Sequence, residues 1–182
     1  MLFTYNNTIM SVRLKKDIEN LKFEMTNKNE ECVVETVEES MKDAFRTNGS
    51  MSNVKNFTII LRGPSGTPYE GGKFKLRIII PEDYPMKAPN ITFISAIKHP
   101  NVRGQSICID ILKNNWSPAL MLYKVLLSLS FLLATPNPDD PLDPELATLF
   151  KINHDEYKRI AIESTKASTD AILAERVSGV TK

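Results

Sequence analysis

The chain has little of the two residue types that most often bind metal ions or form cross-links. Its 182 residues include two cysteines, Cys32 and Cys108, and two histidines, His99 and His154. A structural zinc site needs about four such ligands at short spacings, so no metal site is predicted. One disulfide between the two cysteines is left open by the count alone.

Long apolar runs and an excess of one charge are also missing. No run approaches the roughly 18 apolar residues that a membrane-spanning helix needs. The first seven residues carry no positively charged leader, so we expect a reducing compartment, the cytoplasm, the nucleus or both. The 23 Lys plus Arg nearly cancel the 22 Asp plus Glu, which disfavours nucleic-acid binding and favours a protein or small-molecule partner.

The spacing of apolar residues predicts an α+β domain. Helical spacing predicts a first helix over about 11–25. Alternating or β-branched residues predict three strands, and the short turns between them favour antiparallel pairing. A helix that is apolar nearly all round, and therefore buried, is predicted next, and Asp143 and Asn153 are predicted to cap two more. The three strands lie near 56–62, 73–80 and 91–95, and the apolar helix lies at 120–134.

Residues 26–55 support two interpretations. Apolar residues between 33 and 45 fit one helical stripe, whereas the β-branched run at 32–37 could equally be a strand. Residues 47–53 are predicted to be a loop in either case.

Cys108 is the residue whose surroundings most strongly indicate chemistry. It follows a His-Pro-Asn turn at 99–101 and precedes Trp116. An ordinary thiol has a pKa near 8.5, and no Lys or Arg lies within four residues of Cys108 to activate it. A thiol protease would need an imidazole base, and the two histidines lie in a turn and at a helix start. The remaining alternatives are a small buried hydrophobic residue and a thiol that accepts an acyl group and passes it on.

A series of motifs then resembles the ubiquitin-conjugating enzymes in order and spacing. The resemblance extends from Gly63 to about Ser164, and the helix at 11–25 also matches. It implies a first helix, a four-stranded antiparallel meander sheet, a buried central helix and C-terminal helices. The motifs are Gly-Pro-Ser-Gly-Thr-Pro-Tyr-Glu-Gly-Gly at 63–72, Pro-Glu-Asp-Tyr-Pro-Met-Lys-Ala-Pro at 81–89, His-Pro-Asn at 99–101, Ile-Cys-Ile-Asp-Ile-Leu at 107–112, Trp-Ser-Pro-Ala-Leu at 116–120, Lys-Val-Leu-Leu-Ser-Leu at 124–129 and Pro-Asn-Pro-Asp-Asp-Pro-Leu at 136–142.

The domain organisation expected from this resemblance has three parts. Residues 1–10 form an N-terminal extension, and residues 11–166 form the catalytic core, with a longer connection at 26–55. Residues 167–182 form a C-terminal extension.

The resemblance also implies a reaction. Cys108 would receive ubiquitin as a thioester from the ATP-driven activating enzyme and pass it to a lysine amine or a ligase cysteine. Asn101 would stabilise the oxyanion or the turn that frames it. Asp140 would orient the incoming amine and accept its proton or a hydrogen bond, the alternative being a turn or cap role, and Asp110 is a further candidate. No cofactor is expected, because ATP is used upstream.

Partner surfaces follow from the same resemblance. Two groups of residues would bind the ligase and the activating enzyme in competition, and a third, on the predicted buried helix, would face the donor ubiquitin. The alternatives are that the basic residues of the first helix form only a solvated face, and that Leu127 and Phe131 belong to the core. We expect ubiquitin, its activating enzyme, a RING-type or HECT-type ligase and protein substrates as partners of a monomer. The groups are Arg13 and Lys16 with Pro85 and Met86, then Ser117, Pro118 and Ala119, and last Lys124, Leu127 and Phe131.

The chain departs from the family pattern at several points. The loop from Asn101 to Cys108 is one residue shorter than usual, and Phe131 replaces a small or polar residue. At three positions the chain also differs from the subgroup whose members form a heterodimer with a cysteine-less variant partner. Neither that heterodimer nor a ubiquitin-chain linkage type is therefore predicted. Two other functions stay open, a non-catalytic binding domain and a carrier of another ubiquitin-like modifier. The three residues are Arg77, Ile79 and Thr92.

Overall fold

The computed structural model describes residues 2–26, 34–40, 46–47, 50–51 and 55–179, with side chains described at 12–25, 34–37 and 55–178. A 3-10 turn lies at Asp110–Leu112. The helices are α1 (Leu2–Thr26), α2 (Leu122–Ala134), α3 (Pro144–Ile152) and α4 (His154–Gly179). The strands are β1 (Val34–Ser40), β2 (Arg46–Thr47), β3 (Ser50–Met51), β4 (Lys55–Arg62), β5 (Lys73–Ile80), β6 (Asn90–Phe93), β7 (Val102–Arg103) and β8 (Ser106–Ile107).

The main sheet confirms the antiparallel meander. Its strand order is β1-β4-β5-β6, with all neighbours antiparallel. Strands β4 and β5 pair over their whole length, from Lys55 opposite Ile80 to Arg62 opposite Lys73. Every second residue of β5 is buried, because strand side chains alternate between the two faces. The α+β fold implied by the resemblance is therefore confirmed.

The stretch at 26–55 contains strands where it is described. Residues 34–40 form β1, which resolves the open choice between helix and strand there. Within 47–53, predicted as a loop, Thr47 pairs with Ser50, so part of this segment is a short two-stranded ladder. Cys32, and with it the question of a disulfide, lies outside the described residues.

Helix α1 is longer than the predicted 11–25. It runs over Leu2–Thr26, a stretch without proline or glycine to end it. Leu14 and Leu21 are buried, and Ile18 and Met25 pack against the same core. The predicted apolar stripe is therefore the side on which α1 packs against the rest of the protein.

Helix α2 is buried on one side only. Seven of its residues are buried, but Lys124 is exposed and Phe131 is 69% exposed. The helix is therefore buried as predicted except on this face, since an apolar sequence does not by itself reveal where neighbouring elements end. No helix in the described part of the chain has the length and apolarity needed to cross a membrane.

The two C-terminal helices begin at their predicted caps. The Asp143 carboxylate accepts a hydrogen bond from Leu146 N at 3.0 Å, and Asn153 Oδ1 accepts one from Glu156 N at 3.2 Å. Helix α4 continues without a break past residue 166 to Gly179. Its buried Ile172 keeps this last part of the helix packed against the protein.

Candidate active site

A small hairpin places the cysteine beside the His-Pro-Asn turn. Strands β7 and β8 pair through Val102 with Ile107, and Gly104 adopts a φ of +60°, which favours glycine. The Cys108 amide then donates to the Asn101 carbonyl at 2.9 Å. The loop that is one residue short therefore closes as a tight hairpin and returns the cysteine to the asparagine.

His99 is part of the framework of this turn. It is fully buried, its Nδ1 accepts from the Asn101 amide at 2.9 Å, and its Nε2 donates to the Leu132 carbonyl at 3.1 Å. Burial lowers its pKa to about 4, so the ring is neutral at pH 7. Because both ring nitrogens are engaged, His99 cannot act as the base of a thiol protease. His154 contacts Phe150 and Tyr157 at the start of α4.

The Asn101 side chain binds the segment that carries Asp140. Its Nδ2 donates to the carbonyls of Asn137 and Asp140 at 2.8 and 3.0 Å. Its Oδ1 accepts from Asn137 N at 2.8 Å, and the residue is 1% exposed. Both amide hydrogens are thus engaged, so of the two roles left open this geometry favours the framing of the site. A direct contact with an oxyanion would require one of these bonds to break.

Two charged side chains lie next to the thiol. Cys108 is half-buried, with Sγ 3.8 Å from Asp140 Oδ2, and Lys113 Nζ donates to the same sulfur at 3.1 Å. The contact with Cys108 raises the pKa of Lys113, which keeps its amine protonated. The sequence did not point to Lys113, because it lies five residues after the cysteine, just outside the four neighbours on either side that lack Lys and Arg. The 3-10 turn at Asp110–Leu112 reverses the chain, so that Lys113 lies beside the sulfur of Cys108.

The cysteine opens into a cavity of about 490 Å³ next to α2. Its lining combines apolar residues near the thiol and on α2 with polar residues of the predicted site. Lys124 and Leu127 are not among the lining residues, and Leu127 packs against the core. The predicted site residues that line the cavity are Asn101, Cys108, Asp110, Phe131 and Asp140.

Comparison with known proteins identifies the family of this arrangement. Residues 13–165 match the family model described as ubiquitin-conjugating enzyme. The chain belongs to the ubiquitin-conjugating enzyme family. It is therefore a transferase of the ubiquitin pathway, and membership implies ubiquitin, an activating enzyme and a ligase as general partners.

Individual relatives agree with this assignment. An Arabidopsis thaliana protein named "Probable ubiquitin-conjugating enzyme E2 31" is 50% identical over 127 residues, 69% of this chain and 82% of the relative. Drosophila melanogaster ubiquitin-conjugating enzyme E2 N is 50% identical over 116 residues, 63% of this chain and 77% of the relative. A solved Toxoplasma gondii ubiquitin-conjugating domain is 35% identical with a TM-score of 0.63, covering 83% of this chain and 97% of that one.

The predicted docking residues of this ubiquitin-conjugating enzyme are mostly exposed. Lys16 and the 117–119 segment are exposed, and Met86 is 73% exposed. Pro85 is half-buried, and its carbonyl accepts a hydrogen bond from Trp116 Nε1 at 2.9 Å. This bond connects the two docking loops, the first with Pro85 and Met86 and the second with Trp116 and residues 117–119.

Arg13, predicted as a contact at the rim of the docking surface, makes two hydrogen bonds within the protein. Its Nε donates to the Asp17 carboxylate at 2.9 Å, and its Nη2 donates to the Leu120 carbonyl at 2.5 Å. Two atoms of the guanidinium are thus engaged within the enzyme, while the side chain keeps about a fifth of its surface exposed. The hydrogen bond to Leu120 could not be predicted from the position of Arg13 on the first helix, because Leu120 lies 107 residues away in the sequence.

Proposed function

We propose that the enzyme carries ubiquitin as a thioester on Cys108 and transfers it to a lysine amine or to a ligase cysteine. The observation that carries the proposal is the half-buried thiol at the open cavity, with a carboxylate 3.8 Å and an ammonium 3.1 Å from its sulfur. No imidazole contacts this sulfur in the described structure. Exchange between thiols needs an accessible sulfur and no strong base, and this environment meets that requirement.

Loading is a transfer between two sulfur atoms. The Cys108 sulfur, having lost its proton, attacks the thioester carbonyl on the activating enzyme. A new C–S bond forms, the C–S bond to the activating enzyme breaks, and the leaving thiolate takes up the proton. The acyl group has already been activated by ATP upstream, so this step uses no cofactor on Cys108. In the transfer step, the incoming amine attacks the same carbonyl, the C–N bond forms and the Cys108 thiolate leaves.

Asp140 supports the transfer step in this proposal. A lysine amine with an ordinary pKa near 10.4 loses its proton at pH 7 at a cost of about 4–5 kcal/mol. A carboxylate beside the thioester can orient the amine and accept that proton as the C–N bond forms. The hydrogen bond from Asn101 to the Asp140 carbonyl supports this placement, and Asp110 faces the same cavity.

The exposed side of α2 supports a donor-ubiquitin surface next to the cavity. Phe131 is 69% exposed and lines the cavity, and Lys124 is exposed two turns earlier on the helix. An exposed phenylalanine supplies a large apolar contact for a protein partner. Ubiquitin would lie against Phe131, Lys124 and the half-buried Leu127 while its C-terminus reaches Cys108.

The ligase and the activating enzyme are proposed to share one docking surface. It comprises Lys16 on α1, Pro85 and Met86 in one loop, and residues 117–119 in the next. Exposed methionine and proline side chains suit an adaptable interface for a RING-type or HECT-type ligase. We expect the enzyme to act as a monomer in the cytoplasm, the nucleus or both.

Thioester loading tests the proposal directly. The enzyme is mixed with activating enzyme, ATP and ubiquitin, and the products are separated with and without reducing agent. We expect an adduct that reducing agent removes and that Cys108→Ala does not form. Absence of any adduct from the wild-type enzyme would refute the proposal, and adducts only with another ubiquitin-like modifier would reassign the cargo.

A further inference from the structure

Asp17 on α1 is a buried carboxylate that the proposed reaction does not use. The residue is 0% exposed. Three donors surround it: the Tyr84 hydroxyl at 2.5 Å, Arg13 Nε at 2.9 Å and the Leu122 amide at 3.4 Å. A charged group removed from water requires such partners, because burying it alone is very costly.

These donors lie next to separate parts of the docking surface. Tyr84 precedes Pro85 and Met86 in the first loop, and Leu122 begins α2 directly after the second. Arg13 extends the connection, since its Nη2 donates to the Leu120 carbonyl at 2.5 Å. Asp17 therefore joins α1 to the first loop and to the start of α2, and Arg13 joins α1 to Leu120 at the end of the second loop.

The link between the two loops is completed by an aromatic contact. The rings of Tyr84 and Trp116 lie 6.1 Å apart, and Trp116 donates to the Pro85 carbonyl. Burial, followed by the hydrogen bond to Asp17, raises the pKa of Tyr84, so its hydroxyl stays a neutral donor at any physiological pH. The Tyr84 hydroxyl therefore remains available as a hydrogen-bond donor to Asp17.

Buried ion pairs contribute little net stability on average, because desolvation offsets the attraction between the charges. A hydrophobic residue at position 17 would pack against α2 without specifying where Tyr84 and Leu120 lie. A carboxylate with directional donors does specify it, since each hydrogen bond has a required length and angle. The arrangement therefore suits a group that sets geometry.

We propose that Asp17 is the positioning residue of the docking surface, holding α1 and the two loops in the arrangement that the activating enzyme and the ligase bind. Arg13 acts through Asp17 and Leu120 and not as a partner contact. The inference rests on the proposed function, because it assumes that these loops bind the loading partner. Asp17 lies outside the reaction itself, so its loss affects binding of the partner and not the transfer chemistry.

Steady-state loading kinetics test this inference. The concentration of the enzyme is varied against fixed activating enzyme, ATP and ubiquitin, for wild type, Asp17→Asn, Tyr84→Phe and Tyr157→Phe. Tyr157→Phe is the matched control, because it also removes one buried tyrosine hydroxyl, the one that contacts Tyr69 at 2.7 Å. We expect KM to rise about tenfold for Asp17→Asn and several-fold for Tyr84→Phe, with kcat within about twofold.

The outcomes are distinguishable. An unchanged KM in both docking-surface variants would overturn the inference, and so would an equal rise in Tyr157→Phe, which would indicate general destabilisation. If Asp17→Asn does not fold, Tyr84→Phe still gives the answer, since it removes a single hydroxyl. A wild-type enzyme that loads no ubiquitin would instead refute the proposed function.

Discussion

The two adjacent carboxylates Asp139 and Asp140 lie in different surroundings. Asp140 Oδ2 is 3.8 Å from the Cys108 sulfur, whereas Asp139 Oδ1 accepts from Lys151 Nζ at 2.7 Å. Both are exposed and isosteric with asparagine, which makes them a natural pair for comparison. Only one of them faces the point at which the amine would attack.

We expect Asp140→Asn to slow transfer from the thioester to free lysine by at least about tenfold, because an amide cannot accept the amine proton. Loading of Cys108 should remain intact, since that step involves no amine. The measurement is the discharge rate of preloaded thioester in excess lysine, with Asp139→Asn as the control at near wild-type rate. Equal loss of loading and discharge in Asp140→Asn would show a structural role.

His99 makes the stability of the enzyme depend on pH. Its folded-state pKa is about 4 and its ordinary value is 6.5, so between these values the unfolded chain binds a proton that the folded protein does not. The contribution of His99 to the free energy of unfolding is therefore fully present above about pH 6.5 and is lost as the pH falls towards 4. The contribution between pH 7 and pH 5 is about 2 kcal/mol.

Urea unfolding at a series of pH values checks this expectation. From pH 7 to pH 5, the free energy of unfolding of the wild type should fall by about 2 kcal/mol more than that of His99→Gln. His99→Gln should remove this contribution, and His154→Gln, which changes the exposed histidine, should retain it. The same slope in the wild type and in His99→Gln would exclude His99 as its source.

At the scale of elements, the end of α4 is attached to the main sheet. Ser168 Oγ donates to the Lys73 carbonyl at 3.1 Å, and the Lys73 amide donates to Thr169 Oγ1 at 3.0 Å. Glu175 and Arg176 form ion pairs with Lys75 and Glu35. Ion pairs as accessible as Lys75–Glu175 contribute little, so the buried Ile172 should supply most of the attachment.

Substitution of neighbouring apolar residues tests this attachment. Ile172 is 4% exposed and Leu173 is 44% exposed. We expect Ile172→Ala to lower the free energy of unfolding by about 2–4 kcal/mol, because it leaves a cavity beneath the helix. Leu173→Ala, the matched control, should change it by less than about 1 kcal/mol. Similar effects of both substitutions, measured by urea denaturation, would mean that Ile172 does not anchor this part of α4.

At the scale of the whole molecule, one continuous core connects the four helices to the main sheet. It includes Leu14 of α1, Ile59 of β4, Leu126 of α2 and Tyr157 of α4. The docking loops join it through Trp116, which packs against the same cluster. Elements that share a core of this kind generally unfold together.

We therefore expect one cooperative unfolding transition. Trp116 is the sole tryptophan in the sequence, so its fluorescence reports on the docking loops, while far-UV circular dichroism reports on all helices and strands. The two signals should give the same urea midpoint under reducing conditions. A lower midpoint for the fluorescence would show that the docking loops unfold separately from the core.

The comparison of sequence and structure differs from element to element. The caps at Asp143 and Asn153 and the alternation of β5 were predictable because they depend on residues a few positions apart. The start of α1 was missed because its first turns lack the apolar spacing that predicted 11–25. The exposed side of α2 was indicated only by the family resemblance and not by the apolar pattern, because burial depends on which elements lie against each face, and the sequence of α2 does not contain that information.

For the site, the sequence by itself determined the family and the choice of Cys108 as the proposed reactive residue, since the thiol, the His-Pro-Asn turn and the Asp-Asp-Pro segment are ordered motifs. Only the tertiary structure decided what these residues contact. Asn101 binds a segment 36 residues away, and Arg13 binds a carbonyl 107 residues away. Local patterns constrain backbone conformation over a few residues, whereas such contacts arise only when distant segments pack together. Asp17 is the clearest case, because its role exists only where α1 and the two docking loops meet.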